Sequence, residues 1–382
     1  MNSIILQQPG KIVFGENSIQ GLSEDNLILT SERILFLIAT PLLKTLQPIC
    51  EKITLSGKKV VVMEYTFPGE PTFVQFDSLL KKSTNFHTDC VVGVGGGSVL
   101  DCAKLLAALT DSEQQLTEIV GIGFLNDRSS KLICIPTTSG TGSEMSPNAI
   151  LLNEETAAKS GIISPYLVPD ACYIDPLLTV SLPTHLTAET GMDALSHCIE
   201  AYTNKFAHPA VDTYALKGIE LIANNLHKAC VDGHDLEARA AMSLGSMYGG
   251  LCLGPVNTSA VHALSYGLGG KFHVPHGLAN AILMPEVLRF NLSADPKRHA
   301  EVARALGVKL QGTDEEIAEA GIEKIIEISK ACGIPQHLSY IGITENILSE
   351  LADIAMNVTR LLKNNPREVS KEDAIEIYKK LL

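Results

Sequence analysis

The chain has 382 residues, of which 45% are hydrophobic, and its formal net charge is −13 at neutral pH. This hydrophobic fraction excludes a disordered chain, and the length favours two domains that each bury a core of their own. The acidic balance, without any long basic run, argues against a nucleic acid or an anionic membrane surface as a partner.

The amino-terminal stretch MNSIILQQPGKIVFG lacks the basic region and the long apolar region of a signal peptide. No apolar run reaches the roughly 18 residues that a membrane span requires. The nine cysteines lie mostly in apolar segments and form no Cys-x-x-Cys pair, which favours buried thiols in a reducing compartment. We therefore expect a soluble cytoplasmic protein.

The first half of the chain alternates predicted strands with predicted helices. Short apolar or β-branched runs predict strands at residues 33–39, 59–64, 90–95 and 132–136. Amphipathic patterns at residues 72–83 and 98–110 predict helices between them. Such alternation predicts a parallel sheet, whose ligands bind beyond the carboxyl ends of the strands. From about Pro176 onward, long helical patterns predict a second, all-helical domain.

A glycine-rich turn follows the third of these predicted strands. The segment GVGGGSVLDCAK, residues 93–104, contains the consecutive glycines Gly95–Gly97 and then begins a helix. Such a turn lets a phosphate approach the backbone N–H groups at a helix N-terminus. Ser98 and Asp101 have the spacing of a capping box. A tight, capped turn without a ligand is the alternative, because the pattern only approximates the Rossmann fingerprint.

A polar loop follows the next predicted strand. In PTTSGTGSE, residues 136–144, the seven residues after the proline are all Thr, Ser or Gly, and they include Thr137, Thr138 and Thr141. Hydroxyls and accessible amides beside a glycine turn suit a dinucleotide better than either loop alone. A plain surface loop is the alternative.

The second half contains two segments with metal-ligating side chains. In GMDALSHCIEAY, residues 191–202, a carboxylate and an imidazole lie one turn apart on one helical face. In VHALSYGLGGKFHVPHGLAN, residues 261–280, three histidines are close together in sequence. The candidate ligands are Asp193, His197, His262 and His276. One carboxylate with three imidazoles favours Fe²⁺ or Zn²⁺ over Mg²⁺ or Ca²⁺, whereas buried core histidines with ordinary partners are the alternative.

These segments, with PGKIVFGENSI near the start and NNPREVSKEDAIEI near the end, resemble the iron-containing (group III) alcohol dehydrogenases. The resemblance covers nearly the whole chain, with the motifs in the same order and spacing. It implies an amino-terminal Rossmann-like α/β dinucleotide domain, residues 1–178, and a carboxyl-terminal all-α metal and substrate domain, residues 179–382. It also implies that the four candidate ligands bind one metal ion, Fe²⁺ or alternatively Zn²⁺.

The resemblance extends to the cofactor, NAD or NADP. It implies that Gly96, Gly97 and Ser98 hold the pyrophosphate, and that Thr137 and Thr138 with neighbouring hydroxyls contact the cofactor. Lys159 matches a lysine that the family uses near the ribose. Gly95, Asp101 and Thr141 complete the predicted cofactor-binding set.

The chain departs from the family pattern at two positions. Tyr266 stands where many members have a histidine that contributes to proton exchange or to the substrate pocket. We expect Tyr266 to face the substrate pocket and not the helical core, and His273 is a candidate substitute for the missing histidine. Thr40 stands where many NAD-using members have an aspartate that binds the ribose hydroxyls. Because this repulsive carboxylate is missing, we expect NADP to be tolerated or preferred.

The implied activity is hydride transfer between a small alcohol or diol, or the corresponding aldehyde, and the nicotinamide ring. We expect a homodimer. A zinc enzyme of the dehydroquinate-synthase or glycerol-dehydrogenase type that uses NAD is the alternative, and a non-catalytic nucleotide-binding protein is a second one.

Overall fold

The computed structural model describes residues 3–155 and 158–382. The described chain divides into two compact units. Residues 7–138 and 143–179 form an α/β unit, whereas residues 139–142 and 180–382, with the amino-terminal segment up to Leu6, form a helical unit. The short loop Ser139–Gly142 therefore belongs to the helical unit, although the chain on either side of it belongs to the α/β unit.

The α/β unit is built on two sheets. Its described strands are β1 (Lys11–Phe14), β2 (Arg33–Ala39), β3 (Lys59–Tyr65), β4 (Cys90–Gly95), β5 (Gly121–Ile122), β6 (Lys131–Pro136), β7 (Asn148–Asn153), β8 (Ala158–Ile163) and β9 (Ala171–Ile174). The larger sheet has the order β1-β9-β6-β4-β2-β3, and all its strands are parallel. The smaller sheet has the order β5-β8-β7.

Helices cover both faces of the larger sheet. They are α1 (Asn26–Leu29), α2 (Leu43–Leu55), α3 (Phe73–Ser83) and α4 (Gly97–Leu109). Alternate residues of a strand point to opposite faces, so Leu35 and Leu37 of β2 pack in one core cluster and Phe36 packs in the other. The central strands are buried on both faces of the sheet, which explains why their sequences are continuous apolar runs without polar residues in alternation.

The structure adds strands that the sequence pattern did not predict. β1 and β9 pair with each other at one side of the larger sheet, and β7 and β8 form an antiparallel hairpin. Because β1 precedes the predicted strands, the glycine-rich turn follows the fourth strand of the chain and not the third. β1 has only four residues, mostly exposed, and its partner strand β9 lies about 160 residues away. Local hydrophobic periodicity therefore does not predict this strand.

The helical unit contains the helices after residue 180. They are α5 (Thr184–Thr203), α6 (Pro209–Val231), α7 (Leu236–Leu253), α8 (Ala260–Phe272), α9 (His276–Leu292), α10 (Pro296–Ala305), α11 (Asp314–Ala331), α12 (Leu348–Met356), α13 (Thr359–Leu362) and α14 (Lys371–Lys379). From Gly191 to Thr203, α5 is buried at every position, as expected of a helix surrounded by other helices. The predicted fold class, a parallel α/β sheet followed by an all-α part, is confirmed.

Among the described helices, none is long and apolar enough to cross a membrane. All nine cysteines are buried and have free thiols, as the apolar sequence around them predicts.

Candidate metal centre and nucleotide-binding loops

Three helices of the helical unit place one carboxylate opposite three imidazoles. Asp193 and His197 lie on α5, His262 lies near the start of α8, and His276 is the first residue of α9. Asp193 Oδ1 is 3.6 Å from His262 Nε2, 3.7 Å from His276 Nε2 and 3.9 Å from His197 Nε2. Asp193, His262 and His276 offer ligand atoms that all lie within 4.8 Å of one another, and His197 approaches the same Asp193 oxygen from the next turn of α5.

Backbone and side-chain partners fix the orientation of two of the imidazoles. His197 Nδ1 is 3.3 Å from the carbonyl oxygen of Gly140; because a carbonyl only accepts, Nδ1 carries the hydrogen and Nε2 presents its lone pair to Asp193. His262 Nδ1 hydrogen-bonds the Glu200 carboxylate. Such a carboxylate–histidine contact is the usual support of a metal-ligating histidine.

Glu200 is a functional residue that the sequence reasoning missed. Its side chain is 2% exposed. While one carboxylate oxygen contacts His262, the other accepts hydrogen bonds from the backbone N–H of Ser259 at 3.0 Å and of Val261 at 2.8 Å. Glu200 therefore joins the start of α8 to α5. The available signal was its position seven residues after Asp193, which places both carboxylates on one helical face.

Asn280 is the second missed residue, and it lies one turn after His276 on α9. Its amide Nδ2 is 2.8 Å from Asp193 Oδ1 and 3.2 Å from both His262 Nε2 and His276 Nε2. Its side-chain Oδ1 is buried without a hydrogen-bond partner among the described residues. One amide with two hydrogens thus faces three acceptor atoms.

The charges of this cluster fit a divalent cation. Asp193 and Glu200 are both buried carboxylates, so the cluster would carry a charge of −2 once all three imidazoles are neutral, as metal ligation requires. Burial raises the pKa of Asp193, but the facing imidazoles of His197 and His276 outweigh it and hold that pKa well below its usual value. Burial lowers the pKa of His262, but Glu200 and Asp193 outweigh it and raise that pKa to about 9. For His197, burial is the largest influence, and it lowers the pKa of this imidazole.

The two residues predicted for proton exchange lie in different surroundings. Tyr266 is 9% exposed and packs in the hydrophobic cluster of the helical unit. Because the candidate ligand His262, one turn earlier on α8, is buried as well, the place of Tyr266 in a substrate pocket stays a prediction. Its ring extends from α8, whose neighbouring helices cover it, and Arg360 Nη2 donates to its hydroxyl at 3.3 Å. His273 is exposed at the end of α8, in the left-handed backbone region with φ of 54°.

In the α/β unit, the predicted cofactor residues follow neighbouring strands. Thr40 follows β2, the consecutive glycines end β4, and Thr137 and Thr138 follow β6. These three strands are adjacent and parallel, and Gly95 pairs with Pro136 in register. Because parallel strands end at the same edge of a sheet, the three loops lie together at this edge, where open α/β sheets bind ligands.

The glycines of the turn serve two different purposes. A Cβ on Gly93 would lie 2.5 Å from the Cβ of Ala103, and one on Gly95 would lie 2.5 Å from Val99 Cγ2. These glycines therefore allow α4 to pack closely on β4. A Cβ on Gly96 would instead meet Thr138 Cγ2 at 3.3 Å, at the loop edge. Gly96 and Gly97 are the residues that expose the backbone at the start of α4.

The capping-box prediction for Ser98 and Asp101 is wrong. The helix α4 begins at Gly97, its N-cap is Gly96, and no side chain caps it. Ser98 Oγ donates instead to the Gly69 carbonyl at 2.9 Å. The Asp101 carboxylate accepts from Ser143 Oγ at 2.5 Å and from the Ile150 N–H at 2.9 Å. Asp101 thus holds the chain between β6 and β7, because both of its oxygens already have strong donors.

Lys159 and Thr141 complete the predicted set. The Lys159 ammonium is buried and forms an ion pair with Glu70, so in this structure its charge is balanced within the α/β unit. Thr141 belongs to the loop Ser139–Gly142 of the helical unit. There, Gly140 orients His197, and Ser139 Oγ is 3.0 Å from Ser243 Oγ. Part of the polar loop that the sequence assigned to the cofactor therefore supports the histidine cluster.

Comparison with known proteins agrees with this geometry. The family model described as iron-containing alcohol dehydrogenase matches residues 9–176, and the model of the carboxyl-terminal part of the Fe-containing alcohol dehydrogenase family matches residues 187–382. The chain is 34% identical over 377 residues to 1,3-propanediol dehydrogenase of Citrobacter freundii, covering 97% of each chain.

Solved structures give the same result. A crystal structure of 1,3-propanediol oxidoreductase has a TM-score of 0.95 and 32% identity over 100% of both chains. A crystal structure of sulfoacetaldehyde reductase from Bifidobacterium kashiwanohense in complex with NAD⁺ has a TM-score of 0.88 and 27% identity, covering 100% of this chain and 99% of that one. The chain therefore belongs to the iron-containing alcohol dehydrogenase family and is an oxidoreductase of the alcohol dehydrogenase type.

Proposed function

We propose that this protein reduces a small aldehyde, or oxidises the matching alcohol or diol, with NAD(P) and one divalent metal ion held by Asp193, His197, His262 and His276. The observation that supports the proposal is the convergence of three imidazole Nε2 atoms on one carboxylate oxygen at 3.6 to 3.9 Å. In the reductive direction, the aldehyde, NAD(P)H and one proton give the alcohol and NAD(P)⁺.

The chemistry of the donor set favours iron or zinc. Imidazole and carboxylate together suit Fe²⁺ and Zn²⁺ better than the harder Mg²⁺ and Ca²⁺. A bound divalent ion supplies a Lewis acid for the hydroxyl or carbonyl oxygen of the substrate. We propose Fe²⁺ as the physiological ion, with Zn²⁺ as the alternative that the same ligands accept.

Two of the imidazoles are held in the orientation that a cation would need. Glu200 keeps the His262 ring oriented, and the Gly140 carbonyl does the same for His197. Because these contacts exist within the protein alone, these two rings are preorganised, which reduces the entropic cost of binding a cation. Asn280 Nδ2 lies between Asp193 Oδ1 and the Nε2 atoms of His262 and His276, so this amide would turn away when a cation binds.

For the cofactor, we propose that the exposed N–H groups at Gly96 and Gly97 bind the pyrophosphate at the start of α4. Thr137 and Thr138 follow the adjacent strand β6 and would contact the same cofactor, and Thr40, which follows β2, would contact its ribose. Thr40 is exposed, and its hydroxyl donates to the Tyr65 carbonyl at 3.2 Å. A neutral side chain there does not repel a 2′-phosphate, so we propose that both NAD and NADP are used.

The test is a metal-replacement assay. The purified protein is treated with a chelator, Fe²⁺ or Zn²⁺ is restored separately, and the absorbance of the reduced cofactor is followed with 1,3-propanediol and with short aldehydes. We expect activity to be lost on chelation and restored by one of the two ions. Activity that survives complete removal of the metal would contradict the proposal, and turnover without net change in NAD(P)H would indicate a lyase instead.

A further inference from the structure

One partly exposed arginine of the helical unit contacts a tyrosine of α8 and has no carboxylate within salt-bridge distance among the described residues. Arg360 belongs to α13 and is partly buried. Its recorded contact within the described chain is the hydrogen bond to the Tyr266 hydroxyl. Arg298, for comparison, contacts the Asp212 carboxylate at 2.5 Å. The buried Arg239 has no carboxylate partner but donates to three neutral oxygens, whereas Arg360 has a single phenol oxygen. Leaving a guanidinium partly desolvated without a counter-charge costs free energy, so this position calls for an anion.

The arginine is connected to the cluster through one helix. Tyr266 follows His262 by one turn on α8, which places their Cβ atoms about 5–6 Å apart on one face. α13 packs against α8, and Arg360 meets the hydroxyl end of the tyrosine. The Tyr266 side chain therefore connects the Arg360 guanidinium to α8, the helix that also carries the candidate ligand His262.

Several basic side chains lie on the elements next to Arg360, although the chain as a whole is acidic. Lys271 and His273 lie at the carboxyl end of α8, and Lys363 follows α13 directly. Two acidic groups of α12, which packs against α8, are already engaged: Glu350 pairs with Lys271, and Asp353 pairs with Lys371 at 2.6 Å. No described carboxylate is thus placed to neutralise Arg360.

We infer that Arg360, with the Tyr266 hydroxyl, binds an anionic group at the far end of the substrate, so that the preferred aldehyde is a short one with a terminal oxyanion such as a carboxylate or a sulfonate. The inference rests on the proposed function and names its substrate class. A guanidinium presents paired N–H donors that match an oxyanion. Arg360 then acts as a specificity residue, because the anion cancels a charge that a neutral substrate leaves unpaired.

The experiment compares matched four-carbon aldehydes: butanal, 4-hydroxybutanal and 4-oxobutanoate. The native, metal-loaded enzyme is expected to show a kcat/KM for 4-oxobutanoate at least about tenfold above that for butanal, which corresponds to roughly 1.4 kcal/mol. Arg360→Gln should lower kcat/KM for 4-oxobutanoate by about ten- to hundredfold, as expected for loss of a hydrogen bond to a charged group. The value for butanal should stay within about twofold. A three-carbon sulfonated aldehyde in parallel separates carboxylate from sulfonate preference.

Three further measurements keep the result interpretable. Arg360→Lys retains the charge but not the paired donors, so its effect should lie between those of the native residue and glutamine. Arg304→Gln, which removes an exposed arginine of α10, is the matched control and should leave both substrates unaffected. In the native enzyme, higher salt should raise KM for 4-oxobutanoate and not for butanal, which tests the idea even where a variant fails to fold.

A native enzyme that does not discriminate between these aldehydes would overturn the inference, as would an Arg360→Gln variant that loses activity equally on both. In either case, reduction of butanal would leave the proposed function intact. Failure to reduce any aldehyde with either cofactor and either metal would instead overturn the proposed function.

Discussion

The helical unit and the α/β unit build their candidate sites from different kinds of groups. In the helical unit, buried side chains from α5, α8 and α9 converge on the Asp193 carboxylate, and Glu200 and Asn280 hold them in place. In the α/β unit, the loops after β2, β4 and β6 offer backbone N–H groups and small hydroxyls, and the close packing of α4 on β4 positions them.

This difference predicts how each site should respond to substitutions. A side-chain cluster depends on individual atoms, so removing one ligand or its partner should abolish or weaken metal binding while the fold persists. A site built from backbone N–H groups depends on free space around the backbone. Adding a methyl group to one of its glycines should therefore disturb it more than removing a threonine hydroxyl. Substitutions in one unit should also leave the ligand of the other largely unaffected.

The largest effect is expected for His276→Ala, which removes an imidazole from the cluster. Because loss of a supporting contact alone costs about ten- to hundredfold in metal affinity, loss of a ligand should cost more. Metal content after dialysis should fall to near zero, whereas nucleotide binding measured by calorimetry should persist. Full metal occupancy together with activity in this variant would show that His276 is not a ligand.

A smaller effect is expected for Glu200→Gln, which retains the size of the side chain but removes its charge. The Gln amide holds the His262 ring less firmly, so metal affinity should fall by about ten- to hundredfold. A competition titration with a chelator of known affinity measures this. Glu323→Gln on the exposed face of α11 is the control, and equal affinities in the two variants would remove Glu200 from the metal site.

In the α/β unit, Gly93→Ala tests whether the glycines serve packing. Its Cβ would lie 2.5 Å from the Cβ of Ala103, and neither atom can rotate away, so the free energy of unfolding should drop by about 1–3 kcal/mol. Metal content should be unchanged. Gly21→Ala, where nothing lies within 4 Å of the added Cβ, is the matched control. Unfolding in denaturant gives the comparison, and unaltered stability in Gly93→Ala would contradict the packing role.

The smallest effect is expected at Thr40. The native enzyme should discriminate between NAD and NADP by no more than about tenfold, or roughly 1.4 kcal/mol. Thr40→Asp should shift the preference toward NAD, because the new carboxylate accepts from the ribose hydroxyls and repels the 2′-phosphate. Values of kcat/KM for both cofactors give the answer. A native protein that already rejects NADP by about a thousandfold would remove the basis for this role of Thr40.

Much of the fold could be predicted from local sequence. The apolar runs of β2, β4 and β6 and the amphipathic patterns of α3 and α4 have the periods that their structures require. The strands β1 and β9 could not be predicted, because they are four residues long and are stabilised by pairing across the chain. The hairpin of β7 and β8 was also not predicted, and one of its N–H groups, that of Ile150, donates to Asp101, about 50 residues earlier.

The candidate site divides in the same way. The sequence by itself determined the identity of the four candidate ligands, because the i, i+4 spacing of Asp193 and His197 and the histidine-rich segment 261–280 are local patterns. Only the tertiary structure decided that Glu200 holds His262, that Gly140 belongs with His197, and that Tyr266 is buried beside Arg360. The physical reason is that hydrogen-bond partners and burial depend on which distant segments pack together, and the local periodicity of a sequence does not contain this information.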